Sequence, residues 1–439
     1  HDALPIYYGC GCSRNNRCRH DNNRVNRRER NSNGKMRTSN LNRLLRHTAP
    51  HRFLLLCLPF TASCSEGSET EPCAGLPTRT VLVYLAGDNN LEEIGRTPEL
   101  LRQGWKDTGS KCLIYYDAPQ AAPKLFALTI RHSDASSVLE TVEEYPEENS
   151  SSAGVFGRVV ADVVRKYPSD SYGLIFASHG SGWLPCGALS DPTRTIGDDR
   201  TPGTTGGARE MEITDFAAAI PDHQFDFIIF EACLMSGIEV AYELRNKTDY
   251  LLASSAELLV PGYAPVYPTA FQYLFDTSLG VPQALEKFAG SYFNYIDTRN
   301  GAYRSATQSI VYTREMDALA ILAGKTTGNT HGRWDDALLG KLQHFDRPGS
   351  YGDIPARPRY FDFGQYMAYL APERQADLDA LLRKTVVWKA ATPEFMAGYN
   401  GFTILTHSGL TTYIEQDEFP ELNAAYKKTA WWKATHVQK

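Results

Sequence analysis

The sequence predicts an α/β fold with a mainly parallel β-sheet and helices on both faces, followed by a helix-rich C-terminal subdomain. Three observations lead to this prediction. Short apolar runs, rich in β-branched and aromatic residues and bounded by turn or charge signals, are typical of fully buried parallel strands. Between residues 78 and 275 these runs alternate with stretches of helical periodicity, as strand–helix–strand units require. From 276 to 439 the helical pattern dominates.

Turn-forming and polar residues separate the predicted strands and helices of the sheet region. The first strand is closed by Gly87–Asn90, a run of turn-forming residues. The acidic stretch 140–152 is predicted to be a loop. In chain order, the predicted strands are 80–86, 111–117, 124–130, 172–178, 225–230 and 250–255, and the predicted helices are 97–106, 155–167, 213–220 and 238–244.

The C-terminal region is predicted to pack on this sheet as a smaller subdomain. A chain of 439 residues, 42% of them hydrophobic, is long enough for one large α/β domain with a smaller one attached. The predicted helices of this region are 282–296, 316–325, 334–344 and 376–387, and one late strand is predicted at 402–406.

The first 77 residues predict export. Residues 1–35 contain runs of Arg and Asn and are interpreted as an upstream or disordered segment. Residues 36–64 combine a basic beginning, a short apolar run and small residues before Cys64, which is a secretory signal that ends like a bacterial lipobox. We therefore expect Cys64 to be lipidated and to anchor a cell-surface or periplasmic lipoprotein to a membrane, with 65–77 as its tether. Ordinary signal cleavage and secretion is the alternative.

Charge and cysteine content exclude several classes of function. Residues 1–52 hold 12 Lys and Arg against 3 Asp and Glu, whereas the remaining residues hold 33 against 48. An acidic globular part argues against nucleic acid as the partner. Only four of the nine cysteines, Cys73, Cys112, Cys186 and Cys233, lie beyond the signal segment, too few for a disulfide framework. Cys10, Cys12 and Cys18 lack a fourth ligand at useful spacing, so no metal site is predicted.

Two reactive side chains follow two of the predicted buried strands. His179 comes directly after the strand 172–178, and Cys233 lies three residues beyond the strand 225–230. Functional groups gather at the carboxyl ends of the strands in an open α/β sheet. If the two strands are neighbours, an imidazole and a thiol meet in one crevice, which is the arrangement of a cysteine–histidine hydrolase.

The expected chemistry is nucleophilic catalysis. A thiol becomes a nucleophile beside a base, so His179 would hold the proton of Cys233 and later protonate the leaving amine. Gly180 lacks a Cβ atom and lets a substrate carbonyl approach the backbone. The N–H groups of Gly180 and Cys233 are therefore candidates for an oxyanion hole. Taken singly, a Cys or a His at a strand end is more often structural, but their joint occurrence favours catalysis.

Five stretches together resemble a known family. They are Phe176–Trp183, Glu231–Glu239, Val81–Asn90, Tyr242–Leu244 and Ala253–Tyr263. With the His179 motif before the Cys233 motif, they resemble the clostripain-like cysteine peptidases of the caspase-like group. The resemblance implies a caspase-like three-layer α/β/α sandwich over residues 78–275. It also implies a His179–Cys233 dyad without an obligatory third residue, and hydrolysis of peptide bonds in proteins or peptides after a basic P1 residue.

The residue two positions before the nucleophile bears on specificity. The resemblance implies an Asp there that binds a basic P1 side chain, and this chain has Glu231. A carboxylate at Glu231 still pairs with Arg or Lys, although it reaches one methylene further, and legumain-like enzymes with Glu at this position prefer Asn. The alternative is that Glu231 caps the following helix. Glu257 is interpreted either as a second acidic wall of the substrate pocket or as a solvated loop residue.

The segment between the two motifs is the expected site of processing. Residues 190–209 are rich in Gly, Pro and Thr and predicted to be exposed, where chains are readily cut. The resemblance implies zymogens cut between the His and Cys motifs, so Arg194 and Arg209 are the candidate self-cleavage sites. The alternative is a specificity loop at the rim of the crevice.

The resemblance also bears on cofactors, on oligomeric state and on competing functions. It implies that no cofactor is required, allows calcium near Asp198 and Asp199, and favours a monomer. One competing function is that of a non-catalytic surface lipoprotein that serves as a binding module, which accommodates Glu231 but leaves the dyad without a role. A serine hydrolase acting through Ser178 or Ser181 is disfavoured, because no Gly-x-Ser-x-Gly elbow surrounds either residue.

Overall fold

A nine-stranded β-sheet forms the centre of the described part of the chain, which in this computed structural model comprises residues 78–189, 196–200, 210–327, 336–350 and 356–436. The predicted signal segment and tether, with Cys64, and the candidate cleavage sites Arg194 and Arg209 lie outside the described residues. By their contacts, all of the described residues belong to one structural unit.

The strands are β1 Arg79–Ala86, β2 Lys111–Ala118, β3 Ala121–Ile130, β4 Ser137–Glu144, β5 Ser171–Ala177, β6 Phe225–Glu231, β7 Thr248–Ala253, β8 Thr307–Tyr312, β9 Phe361–Asp362, β10 Val386–Ala391, β11 Glu394–Phe395, β12 Phe402–Thr403 and β13 Thr411–Thr412. The helices are α1 Thr97–Gly104, α2 Ala153–Lys166, α3 Ile213–Ala218, α4 Ile238–Glu243, α5 Tyr267–Ala270, α6 Val281–Asp297, α7 Met316–Thr327, α8 Asp336–Leu339, α9 Phe363–Leu370, α10 Gln375–Thr385, α11 Pro420–Tyr426 and α12 Ala430–Thr435.

The main sheet has the order β10-β8-β7-β6-β5-β1-β2-β3-β4. The five strands β7, β6, β5, β1 and β2 are parallel, and antiparallel strands extend the sheet at both edges. This is the mainly parallel sheet that the strand–helix alternation predicts. The helix-rich C-terminal region is also present.

Apolar layers cover both faces of the sheet, which explains why its central strands read as continuous apolar runs. On β1, Leu82 and Tyr84 pack with Phe156 of α2 on one face. The intervening Val83 packs with Phe288 of α6 on the other face. Successive side chains of a strand point to opposite faces, so a strand that is covered on both sides needs apolar residues throughout. The result is the predicted three-layer α/β/α sandwich.

Several elements differ from the sequence-based expectation. The stretch 140–152 is not all loop, because β4 pairs with β3 as an acidic edge strand. The predicted helix 376–387 ends at Thr385, and the following residues form β10, which extends the main sheet beside β8. The C-terminal region therefore contributes strands to the sheet as well as helices. The predicted helix 334–344 is reduced to α8, and the strand expected at 402–406 is the short β12 paired with β11.

Candidate active site

The two motif strands are neighbours in the sheet. β5 and β6 pair in parallel, with Ala177 opposite Glu231. His179 and Cys233 each lie two residues beyond this pair, so both follow the carboxyl ends of adjacent strands at the same level. The prediction from the sequence required the strands before His179 and Cys233 to be neighbours, and they are. An imidazole and a thiol therefore lie together at the carboxyl ends of the parallel strands.

Cys233 lies on a sharp turn between β6 and α4. The next residue, Leu234, has φ +62°, a left-handed conformation that costs roughly 1–2 kcal/mol for a residue other than glycine. The backbone N–H of Leu234 donates to the carbonyl of Ala256 at 2.9 Å, which holds the turn in place. Cys233 is partly exposed, and its Sγ atom lies 3.8 Å from the carbonyl oxygen of Leu258. The turn thus presents the thiol at the end of its strand.

Gly180 lies tightly against the nucleophile turn. A Cβ atom on Gly180 would lie 2.7 Å from the carbonyl oxygen of Cys233 and 3.0 Å from Cβ of Ala232. Only a residue without a side chain allows the two strand ends to come this close. The role of Gly180 in the approach of a substrate carbonyl stays a prediction from the sequence; the close neighbour in the structure is the Cys233 backbone.

His179 is buried, with 4% of its surface exposed, and its ring is held from the first strand of the sheet. Its Nε2 atom lies 2.7 Å from Oδ1 of Asn90, in the turn after β1. Sequence reasoning missed this partner, because it assigned Asn89 and Asn90 only to a turn. The signal was nonetheless present, since β1 ends in two consecutive amide side chains at the edge where His179 was expected.

Glu231 lies on the wall of a small pocket beside the thiol and the imidazole. The pocket has a free volume of about 60 Å³, and its lining includes His179, Glu231, Cys233, Leu258, Val260 and Pro261. One carboxylate oxygen of Glu231 accepts a hydrogen bond from the N–H of Tyr263 at 2.7 Å, and the other accepts from the hydroxyl of Tyr267 at 2.5 Å. Burial raises the pKa of Glu231 to about 7. Its hydrogen bonds therefore run to the segment 263–267 and not to the helix after Cys233.

Glu257 is not the solvated loop residue that one interpretation expected. It is 6% exposed and forms a bidentate ion pair with Arg347, with N–O distances of 2.7 and 2.9 Å. Arg347 also donates to the carbonyl of Tyr399. Glu257 is absent from the lining of the pocket that contains the thiol. A partner of opposite charge stabilises a buried carboxylate, and here Arg347 of the C-terminal region is such a partner.

The described segment Ile196–Arg200 lies against the candidate site. Ile196 bridges Gly180 and Met211, and the N–H of the next residue, Gly197, donates to the carbonyl of His179 at 3.0 Å. Arg200 N–H donates to the carbonyl of Asp88 at 2.8 Å. This segment therefore contacts both the histidine and the turn after β1.

The acidic residues of this segment do not fit a calcium site. Asp198 lies 3.5 Å from Nε of Arg200, and Asp199 accepts hydrogen bonds from the N–H and the hydroxyl of Ser150. No group of three or more His, Cys, Asp or Glu side chains that suits a metal ion occurs within the described ranges. In the same part of the chain, no helix combines the length and apolar character needed to cross a bilayer.

Comparison with known proteins was made by sequence and by structure. The model of the clostripain family matches residues 83–322. Clostripain from Hathewaya histolytica is 26% identical over 290 residues, which is 59% of this chain and 52% of clostripain. The chain thus spans about half the length of that curated relative.

Two solved structures extend the comparison to most of the chain. An inactive zymogen C11 protease from Parabacteroides distasonis is 29% identical, with a TM-score of 0.67, over 82% of this chain and 98% of the other. A secreted C11 cysteine protease from Bacteroides thetaiotaomicron, solved with an irreversible peptide inhibitor, is 26% identical, with a TM-score of 0.68, over 81% of this chain and 98% of the other.

Proposed function

Because the chain belongs to the clostripain family, we propose that it is a cysteine endopeptidase that cleaves peptide bonds after basic residues through a His179–Cys233 dyad. The observation that carries the proposal is the pairing of β5 with β6, which brings a thiol and an imidazole to one edge of the sheet. The protease nature of two structural relatives supports the same reaction class. Protein or peptide substrates follow from that class.

The reaction would proceed through an acyl-enzyme. His179 takes the thiol proton, and the Cys233 sulfur attacks the carbonyl carbon of the scissile peptide bond. The N–H groups of Gly180 and Cys233 are the candidate donors to the oxyanion. His179 then gives its proton to the leaving amine, and water hydrolyses the thioester to free the thiol. In this second step His179, which has given up its proton, takes a proton from the attacking water.

Glu231 is the proposed binding group for the basic P1 side chain. Its carboxylate lies on the wall of the pocket that contains the thiol, fixed by Tyr263 and Tyr267. The hydrogen-bond partners of Glu231 are neutral. An Arg or Lys side chain that enters this pocket would give the carboxylate a partner of opposite charge. A free volume of about 60 Å³ holds only a few water molecules, so substrate entry requires the pocket to widen. Glu257 is not proposed for this role, because Arg347 already pairs with it.

The test is hydrolysis of a fluorogenic peptide library with varied P1 residues by the full chain. We expect cleavage after Arg or Lys that is lost in Cys233→Ala and in His179→Ala. Glu231→Gln should lose the preference for basic P1 residues while it retains measurable cleavage of neutral ones. Cleavage after Asn in the wild type would reassign the specificity. No cleavage by the wild type, even after limited treatment with trypsin, would favour the binding module without catalysis.

We also propose self-cleavage at Arg194 or Arg209. The two arginines flank the segment 196–200, whose described residues contact His179 and the turn after β1. A cut on either side would free one end of a segment that lies on the site. Wild-type protein should separate into two bands on a denaturing gel, and Cys233→Ala should remain a single band. Substitution of both arginines by Gln tests the assignment, and continued processing elsewhere would contradict it.

Export as a lipoprotein anchored through Cys64 is the last part of the proposal. Its support is the signal-like pattern of 36–64 and the secreted nature of the Bacteroides thetaiotaomicron relative. Radiolabelled palmitate should label the wild-type protein in a bacterial host and should not label Cys64→Ala. An unlabelled wild type that is recovered from the medium would favour ordinary secretion.

A further inference from the structure

We propose that Asn90 is a positioning residue. Its side-chain oxygen accepts a hydrogen bond from the His179 ring and thereby leaves the other ring nitrogen to receive the thiol proton of Cys233. The inference rests on the proposed dyad. It adds a third member, which reaches the histidine from β1, the strand on the opposite side of β5 from the nucleophile strand. The observation is the 2.7 Å contact between Oδ1 of Asn90 and Nε2 of His179.

The contact between Asn90 and His179 matters because it determines which nitrogen of the neutral imidazole carries the proton. One ring nitrogen carries a proton and the other carries a lone pair. An acceptor oxygen at Nε2 favours the tautomer with its proton on Nε2, which leaves the lone pair on Nδ1. A general base needs that lone pair, so Asn90 would select the tautomer of His179 that can receive the thiol proton. After proton transfer, the same contact stabilises the imidazolium.

The turn that carries Asn90 is fixed on both sides. The side-chain amide of Asn89 donates to the carbonyl of Ala86 at 2.7 Å and to the carbonyl of Asp198 at 3.0 Å, and its oxygen accepts from the N–H of Leu91 at 2.8 Å. The carbonyl of Asp88 accepts from Arg200 N–H. Asn89 is buried, whereas Asn90 is exposed and reaches the histidine. The two neighbouring amides thus have separate tasks, one that anchors the turn and one that orients the ring.

The segment Ile196–Arg200 contributes to this arrangement. Asp198 provides one of the two carbonyls that hold Asn89, and Gly197 N–H donates to the carbonyl of His179 itself. The histidine is therefore oriented through its side chain by Asn90 and through its backbone by Gly197. A group held at two points has little freedom to leave the productive geometry.

The experiment compares Asn90→Ala and Asn90→Asp in the full chain, with Asn294→Ala as the matched control. Asn294 is an exposed amide on α6. Loss of a hydrogen bond to a group that becomes charged should lower kcat by roughly 10- to 100-fold in Asn90→Ala, with KM changed less than about 3-fold. A carboxylate accepts but cannot donate, so Asn90→Asp should recover most of kcat if Nε2 is the donor. The control should match the wild type.

A second readout separates this inference from the proposed peptidase function. The rate at which iodoacetamide alkylates Cys233, followed by mass spectrometry of the peptide that contains it, needs no substrate. We expect Asn90→Ala to slow this rate by a similar factor and Asn90→Asp to restore it. Unchanged rates in Asn90→Ala, or equal losses in the Ala and Asp variants, would overturn the role of Asn90. An inactive wild type, or an active Cys233→Ala, would instead overturn the peptidase proposal.

Discussion

Glu231 is a single residue in which burial, hydrogen bonding and the proposed specificity meet. Its pKa of about 7 means that the carboxyl group loses its charge in mildly acidic solution. A basic P1 side chain needs the ionised form, whereas a neutral P1 side chain does not. We therefore expect the ratio of kcat/KM for P1 Arg to kcat/KM for P1 Asn to increase from pH 6 to pH 8. The ratio removes the titration of the dyad, which both substrates share.

The control for this titration is Glu231→Gln, which has the same shape and no charge. Its ratio of kcat/KM values should stay flat from pH 6 to pH 8 and should lie below that of the wild type at pH 8. A wild-type ratio that is independent of pH would contradict the P1 role of Glu231, even if the enzyme still prefers Arg.

The Glu257–Arg347 ion pair is expected to matter for stability. Both side chains are buried, and the pair joins the turn after β7 to the C-terminal region. Removal of one member of a buried ion pair typically costs about 3–5 kcal/mol, because the charge that stays behind loses its charged partner. We expect Arg347→Met to lower the Tm clearly, as measured by thermal unfolding in a Cys233→Ala background. The double variant Glu257→Leu with Arg347→Met should recover part of the loss. Equal Tm values for the single and double variants would contradict this view.

At the level of elements, the contact between the ends of β5 and β6 depends on Gly180. A methyl group there would press on the Cys233 carbonyl at 2.7 Å and would displace the nucleophile turn. A displacement of about 1 Å at a reacting group can cost about 100-fold in rate. We expect Gly180→Ala to lower kcat at least 10-fold. The control is Gly154→Ala in α2, where a Cβ atom would have open space, and its kcat should match that of the wild type. A fully active Gly180→Ala would show that the turn adapts.

The elements that the sequence predicted are those whose own residues determine them. The strands β1, β5 and β6 are buried on both faces, so their apolar runs identify them directly. By contrast, β4 is an acidic edge strand with little buried surface, and its pairing with β3 determines its conformation. β10 follows α10 without a break, so its first two residues, Val386 and Val387, were assigned to the end of the predicted helix and the rest of the strand was not predicted. Such elements depend on partners that are distant in sequence.

The candidate site likewise contains residues that the sequence predicted and contacts that it did not. His179, Gly180 and Cys233 were predicted because strand ends carry function in a parallel sheet. The amides at the end of β1 were a signal for a polar partner, but their contact with His179 depends on the strand order that places β1 beside β5. The pairing of Glu257 with Arg347 spans 90 residues and lacks any local signal. Strand order and long-range charge pairs are properties of the assembled molecule.

For the whole molecule, buried carboxyl groups link stability to pH. Burial raises the pKa of Glu231 and of Glu239 to about 7, and that of Asp117 to about 8. In the unfolded chain such groups ionise near pH 4. Between pH 6.5 and pH 8 the folded state therefore holds protons that the unfolded state has lost, and stability must fall as the pH rises. Burial lowers the pKa of His407 to about 3, which acts in the opposite sense, but the effect is small because the unfolded residue is only about half protonated at pH 6.5.

We therefore expect the Tm of the Cys233→Ala protein, which avoids self-cleavage, to be several degrees lower at pH 8 than at pH 6.5. Glu239 accepts hydrogen bonds from the hydroxyl of Thr412 and the N–H of Tyr413. Glu239→Gln should reduce the Tm difference, because Gln carries no titrating proton. Glu99→Gln is the matched control, since Arg102 holds the pKa of the exposed Glu99 carboxyl near 2 and the group stays ionised throughout. Its Tm difference should equal that of the parent. A Tm that increases from pH 6.5 to pH 8 would show that the three buried carboxyl groups are ionised in the folded protein.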